Sequence, residues 1–300
     1  MKCRVCGKTA VIKLKSHNTA FCVEHFVEFF ERRVERAIRR FKMFGRGSNI
    51  LVGVSGGKDS LSAWLALKRL GYDVTGVFIN LGIVPNSDLA QRLVESFASE
   101  NKLKLAVLDV KDYLGATIPE ARNFTRKPTC SVCGMVRRYI LNKFALENGF
   151  DVLVTGHNLD DEAATLFGNI MDWNPQYLAR QYPVLLEQDG FVRKVKPLVL
   201  CSEYETLAYA VVMRIGFDRS RCPFSKGASS QFYKHILNLI EHDMPGTKQR
   251  FVTGFYEKIS PIISGQAKKP ELKRCKICGY PTTAGDICAF CRLKELIRKG

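Results

Sequence analysis

Three hundred residues, 46% of them hydrophobic, are enough for one main domain with small appendages, and this composition excludes an intrinsically disordered chain. The sequence has neither a run of about twenty apolar residues nor a leader-like segment at Met1-Lys2-Cys3-Arg4, so it reads as a cytoplasmic protein with no membrane span. Its formal net charge of +17 points to a polyanionic partner, with nucleic acid preferred over a solvated basic surface, because heat-adapted surfaces usually balance Lys with Glu.

In chain order, the first feature is Cys3-x2-Cys6 followed by Cys22-x2-His25. Two pairs on tight turns, separated by enough chain for a short hairpin, can supply four tetrahedral ligands to one Zn²⁺. From Phe26 to Phe44 the apolar residues Phe26, Phe29, Phe30, Val34, Ile38 and Phe41 recur at helical spacing and predict a helix with a core-facing stripe. Arg32, Arg33, Arg36, Arg39, Arg40 and Lys42 lie between them, and are expected to form a cationic rail for phosphates. Gly45 to Gly47 then ends the helix as a linker.

Next comes Ile50-Leu51-Val52-Gly53-Val54-Ser55-Gly56-Gly57-Lys58-Asp59-Ser60. An apolar strand-like run ends in two glycines and passes at once into the amphipathic segment Leu61 to Leu70. Bare backbone N–H groups therefore collect at a helix N-terminus, flanked by hydroxyls, and this is a nest for polyphosphate. It is not a Walker A loop, because that motif needs a Ser or Thr directly after its lysine, where this chain has Asp59. Val74 to Ile79 reads as a second strand, Ser87 to Asn101 as a helix and Leu103 to Asp109 as a third strand. A helix over Cys133 to Asn148, a strand over Val152 to Thr155 and a helix over Asp161 to Ile170 follow. This alternation predicts an α/β fold, a parallel sheet with helices on both faces, and puts the nucleotide over the carboxyl ends of the strands.

Gly156-His157-Asn158-Leu159-Asp160-Asp161-Glu162 follows the fourth strand, where acidic groups can place Mg²⁺ on a pyrophosphate leaving group or simply cap the next helix. Cys130-Ser131-Val132-Cys133 and the distant Cys222 offer three thiolates without a nearby fourth ligand. Three readings fit them: a [4Fe–4S] cluster with one open iron, a zinc site short of a ligand, or a persulfide cysteine with a resolving partner. The cluster is the expectation carried forward. Cys201 stands apart and reads as a small buried hydrophobe. The tail repeats the metal theme as Cys275-x2-Cys278 and Cys288-x2-Cys291, a zinc ribbon set off by the spacer Gln266 to Pro270 and followed by the basic stretch Arg292 to Lys299. The organisation expected is a finger over 1–28, a basic linking helix over 29–48, a catalytic domain over 49–268 and a ribbon over 269–300.

The Ser55-to-Ser60 string resembles the PP-loop of the ATP pyrophosphatases. Together with both fingers, Cys130/Cys133/Cys222, the Gly156-to-Ala163 string and Gly279-Tyr280-Pro281-Thr282-Thr283, it is similar to the tRNA 2-thiouridine synthetases of the TtuA/Ncs6 type. That resemblance implies adenylation of a uridine C2 oxygen by ATP with Mg²⁺, then sulfur delivery through the cluster. It also implies phosphate contacts from Ser55, Gly56, Gly57, Lys58, Asp59 and Ser60, and Gly53 at the strand end. Ile79 would present backbone to adenine, Gly156 would lie against the nucleotide, Arg137 near the α-phosphate, and Asp161 on the metal. The implied partners are tRNA and a ubiquitin-like sulfur carrier with a C-terminal thiocarboxylate, and a homodimer is expected. T-loop uridine 54 is preferred over wobble uridine 34. Cytidine thiolation, adenylation of a small molecule by a PP-loop enzyme, and a non-catalytic RNA-binding role stay open.

Overall fold

The computed structural model describes residues 1–188, 190–220, 222–224, 229–266 and 272–299. The spacer from Ala267 to Pro270, and with it the 268/269 boundary, lies outside the described residues.

The N-terminal finger is a hairpin of β1 (Ile12–Leu14) and β2 (Thr19–Phe21), paired antiparallel. It runs directly into α1 (Val23–Arg40), so the helix passes unbroken through the 28/29 boundary. Phe26, Phe30, Val34 and Ala37 are fully buried, and the predicted stripe faces the core.

The α/β unit is built from β3 (Ile50–Val54), α2 (Lys58–Arg69), β4 (Val74–Asn80), α3 (Asn86–Glu100), β5 (Lys104–Asp109), α4 (Val110–Leu114), α5 (Ile118–Ala121), α6 (Thr129–Glu147), β6 (Val152–Thr155) and α7 (Leu159–Met171). It continues with α8 (Pro175–Leu178), β7 (Val184–Leu185), β8 (Arg193–Val195), α9 (Glu203–Val212), α10 (Ser229–Asp243), α11 (Thr247–Gly254) and α12 (Ser260–Gln266). The tail folds as β9 (Lys273–Arg274), β10 (Pro281–Thr282) and α13 (Ala289–Lys299). No helix among the described residues is long and apolar enough to cross a membrane.

The main sheet has the order β5-β4-β3-β6-β8-β7. It is parallel except for the edge strand β7, which pairs antiparallel with β8 and was not anticipated. Strands covered on both faces need apolar residues at every position, and β3 has them: Ile50, Val52 and Val54 join the core beneath α1, α2 and α3, while Leu51 packs with Val77, Ala145 and Leu153 on the α6 side. The order turns outward in both directions from β3 and β6, so a crevice opens at their carboxyl ends, where such folds bind ligands.

Candidate active site and metal centres

The nest forms where β3 stops at Val54 and α2 starts at Lys58. Gly57 is the N-cap and has no side chain to satisfy the first-turn N–H groups, which are left for an anion. Ser60 Oγ accepts from Ser55 N at 3.1 Å and donates to Gly57 O at 3.1 Å, closing the loop on itself. Gly56 holds φ +81°, and a Cβ there would lie 3.0 Å from that of Ala90. A side chain would both strain the turn and crowd α3.

Gly156 shows a second close approach. A Cβ there would sit 2.7 Å from the backbone N and Cα of Ser60, so the end of β6 abuts the PP-loop only because this residue is glycine. Gly53 has no comparable constraint, with only ordinary contacts around a notional Cβ. The β3–β4 ladder ends at Phe78, while β4 stays paired with β5 through Asn80, so the Ile79 backbone runs past the end of its neighbour on the crevice side.

Acidic groups converge over the nest. Asn158, fully buried, caps α7 by accepting from Asp160 N at 2.9 Å and Asp161 N at 3.1 Å, and donates through Nδ2 to Asp59 Oδ1 at 3.0 Å. Asp59 also meets Lys58 at 2.9 Å. Burial raises the Asp59 pKa, and the neighbouring Asp161 charge adds to this, against the pull of Lys58 and Asn158. The adjacent aspartates have separate fates. Asp161 faces Lys234 at 2.6 Å, whereas Asp160 is buried, ion-paired with Lys248, and accepts from Glu203 N at 2.8 Å. Asp160 therefore ties α7, α9 and α11 together, and Asp161 is the one turned to the crevice.

The helix bearing Cys130 and Cys133 starts one turn earlier than predicted, at Thr129, so both cysteines lie in its first two turns. In a right-handed β-α-β crossover the helix runs antiparallel to the strands and starts at their carboxyl edge. The start of α6 is thus at the same edge as the PP-loop. Leu141 of α6 lies 3.5 Å from a Cβ built on Gly53, which puts Cys133, eight residues earlier at 1.5 Å each, about 12 Å beyond the strand end. Cys130 Sγ donates to Phe224 O at 3.1 Å, bringing the Cys222 loop against α6. Burial raises the Cys133 pKa, the Arg137 guanidinium opposes this and hydrogen-bonds the sulfur, and charge on Cys222 and Cys130 raises it further. The three thiols are near enough to feel one another, and Arg137 sits against the sulfur side of the crevice.

The finger sites are of a different kind. Among the described residues, the groups whose ligand atoms all lie within 4.8 Å of one another are Cys3/Cys6/Cys22/His25 and Cys275/Cys278/Cys288/Cys291. Zn–S bonds of ~2.3 Å in a tetrahedron put sulfurs ~3.8 Å apart; Cys6–Cys22 and Cys278–Cys288 are both 3.8 Å. His25 turns Nδ1 to the site, 3.2 Å from Cys22 and 3.6 Å from Cys3. In each finger the glycine after the second cysteine donates its N–H to the first cysteine's carbonyl, Gly7 to Cys3 at 2.9 Å and Gly279 to Cys275 at 2.8 Å. Burial resists ionisation of Cys3 and Cys275, but backbone N–H groups aimed at each sulfur bring both down to about 6. Both sets fit a structural zinc ion. The Cys130/Cys133/Cys222 trio, set more widely and partly exposed, fits a polynuclear cluster better than a single ion.

Sequence reasoning missed Asn158 as the link between motifs, and it missed Lys234 and Glu203 altogether. It also misplaced one arginine. Arg33 is turned inward, donating to Leu200 O and to Gln249 Oε1 at 2.7 Å beside Glu205 at 3.5 Å, so it is not part of the outer rail. Its position three after Phe30 and four before Ala37 was the available signal.

Residues 2–27 match the N-terminal LIM domain of the 2-thiouridine synthetase TtuA, and residues 28–176 match the PP-loop domain. A tRNA-5-methyluridine(54) 2-sulfurtransferase of Thermotoga maritima is 48% identical, covering 100% of this chain and 98% of the relative. Its Thermus thermophilus namesake is 46% identical over 99% of this chain and 92% of its own length. The solved U34-tRNA thiolase NcsA of Methanococcus maripaludis with its [4Fe–4S] cluster superposes with a TM-score of 0.84 at 29% identity, covering 98% of this chain and 96% of that one. With the finger, the PP-loop and nearly its full length matched, this chain belongs to the TtuA-type tRNA 2-thiouridine synthetase family and is a tRNA sulfurtransferase.

Proposed function

We propose that the chain thiolates C2 of the T-loop uridine at position 54 of tRNA, using ATP to adenylate the C2 oxygen. The observation that carries this reading is the common edge of the sheet: the phosphate nest of Ser55 to Ser60 and the Cys130/Cys133 start of α6 open on the same crevice. A carbonyl oxygen is a poor leaving group until joined to AMP, so the nucleotide and the sulfur carrier must share one site. Relatives named for position 54 are 44–48% identical, and the wobble-uridine thiolase is 29% identical, which favours the T-loop.

In this reading Ser55, Gly56, Gly57 and Ser60 cradle the phosphates with backbone N–H and hydroxyl groups, and Gly53 and Ile79 border the nucleotide. Asp59 and Asp161, held apart by Asn158, would bind Mg²⁺, whose charge stabilises the departing pyrophosphate. Gly156 keeps the second motif against the loop. Arg137, whose guanidinium hydrogen-bonds Cys133, stabilises negative charge between the α-phosphate and that sulfur. Cys130, Cys133 and Cys222 would hold the [4Fe–4S] cluster, which when bound supplies one iron open to an incoming sulfur. Cys3/Cys6/Cys22/His25 and Cys275/Cys278/Cys288/Cys291 would each hold one Zn²⁺.

The sulfur donor in this proposal is a ubiquitin-like protein with a C-terminal thiocarboxylate, and the compartment is the cytoplasm, whose reducing poise suits so many thiolates. A homodimer belongs to the same proposal; the exposed apolar row Tyr204, Leu207 and Val211 on the outer face of α9 supports it. The test is anaerobic reconstitution with tRNA, ATP and sulfide, then nuclease mapping of the product by mass spectrometry. A 2-thiouridine in the T-loop is expected. Product confined to the anticodon loop, or none, overturns the reading.

A further inference from the structure

Among the described residues, Lys58 of the PP-loop and Lys234 both reach carboxylates over the nest. Lys234, on α10, contacts Asp161 Oδ1 at 2.6 Å and Glu203 Oε2 at 3.2 Å. The other oxygen of Glu203 contacts Lys58 at 2.8 Å, and Lys58 reaches Asp59 at 2.9 Å. Asn158 links Asp59 to the α7 N-terminus, completing a circuit of alternating charge across the mouth of the nest: Asp59, Lys58, Glu203, Lys234, Asp161. The two lysine side chains are mostly covered, at 17% and 18% exposure, while Glu203 is the open member at 38%.

We propose that Lys58 and Lys234 form a clamp on the β- and γ-phosphates of ATP, the pair that leaves as pyrophosphate, and that Glu203 is the counter-charge they release when those phosphates arrive. This rests on the nucleotide placement proposed above.

A carboxylate bridging two ammonium groups at an anion nest presents its oxygens much as a phosphate would. In the circuit three carboxylates face two lysines. A divalent cation held by Asp59 and Asp161 would take over those acceptors and make the local balance positive, leaving both lysines available to an incoming polyphosphate. Glu203 is the first residue of α9, fixed by its own N–H to Asp160 at 2.8 Å, so it stays within reach to reclaim the lysines when pyrophosphate leaves.

The experiment is calorimetric titration of the full chain with ATP, pyrophosphate and AMP in the presence of Mg²⁺, alongside thermal melts. Lys234→Ala should weaken ATP and pyrophosphate binding about tenfold while AMP stays within about twofold, and Lys234→Arg should recover most of the loss. Glu203→Gln should act in the opposite direction and tighten ATP, since a competing anion is gone; this variant keeps the proposal open to refutation if Lys234→Ala fails to fold. Equal losses for AMP and ATP, no loss for either, or weaker ATP binding in Glu203→Gln overturns the clamp alone. Absence of nucleotide binding in the unsubstituted protein overturns the placement beneath it.

Discussion

Asn158 Nδ2 donates to Asp59 Oδ1 at 3.0 Å, and this one contact connects the PP-loop to the start of α7, ninety-nine residues later in the chain. Asn158 also holds Asp161 N, so the two carboxylates proposed for Mg²⁺ share a single buried orienting group. Asp59→Ala and Asp161→Ala are therefore expected to abolish AMP release while leaving the melting temperature nearly unchanged, because each removes site charge and not core packing. Asp160→Ala should do the reverse. It orphans the Lys248 ammonium in a buried pair, a loss of about 3 kcal/mol or more, and the melt should collapse before any kinetic defect is isolated. If Asp161→Ala is the variant that unfolds and Asp160→Ala the one that stays folded and inactive, these roles are exchanged.

The metal complement separates the three thiolate sets. Anaerobically purified protein should contain about two zinc and about four iron per chain, because each finger is a complete tetrahedral set and the trio is not. Cys222→Ser should keep both zinc ions and ATP binding but lose the iron and the sulfur transfer. The C-terminal ribbon adds a second expectation: Tyr139 of α6 stacks on Phe290 of α13 with ring centroids 3.8 Å apart, so the ribbon braces the helix that carries Cys130 and Cys133. Phe290→Ala should lower iron retention as well as ribbon zinc. Elemental analysis reads both, and unchanged iron in Phe290→Ala would show that the bracing is irrelevant to the cluster.

Most of the site was legible where chemistry depends on residue type at short spacing. The nest, the Asn158-to-Glu162 acid run and both fingers are local patterns, and their backbone geometry follows from them. Lys234 and Glu203 were not legible, because a lysine on an amphipathic helix has no mark that says its partners lie on α7 and α9. Apart from Cys222, the stretch that forms α9 to α12 carries no motif, and its placement is set by packing against α7 and α2, which only the folded chain reveals. Arg33 and Arg36 illustrate the limit. One faces Glu205 and the other solvent, and an arginine-rich helix hides that difference unless the apolar stripe is followed residue by residue.

Lys194 on β8 gives a pH-dependent expectation. Burial, and then the charges of Lys196 and Arg138, lower its pKa from 10.5 to about 8, with Glu162 opposing. Below the folded value both states carry the proton, and the folded protein bears the full cost of the buried charge. Between about 8 and 10.5 the unfolded chain binds a proton that the folded one lacks, so this residue's contribution to stability rises with pH across that window. Lys194→Met should therefore melt higher than the unsubstituted protein at pH 7, and the gap should shrink as pH rises through the window. A gap that is constant or widens would mean that the lysine is stabilised by partners other than these.

The placement of the arginines on α1 decides how tRNA should be held. Arg36 is exposed on the outer face of α1, and its neighbours Arg32 and Arg39 are spent only on exposed helical pairs with Glu28 at 3.5 Å and Glu35 at 2.8 Å. Such pairs are worth at most about 1 kcal/mol and give way to a phosphate. Each phosphate neutralised releases counterions, so affinity falls with salt at a slope set by the number of contacts. Arg36→Ala should weaken tRNA binding and reduce that slope by about one, leaving the melt unchanged. Arg33→Ala should leave the slope alone and lower the melting temperature, since it strips Leu200 O and Glu205 of a buried partner. Fluorescence anisotropy over a salt series measures both. An unchanged slope in Arg36→Ala would move the tRNA path off α1 and onto the basic α13 face at Arg292, Arg298 and Lys299, where the same substitution series then applies.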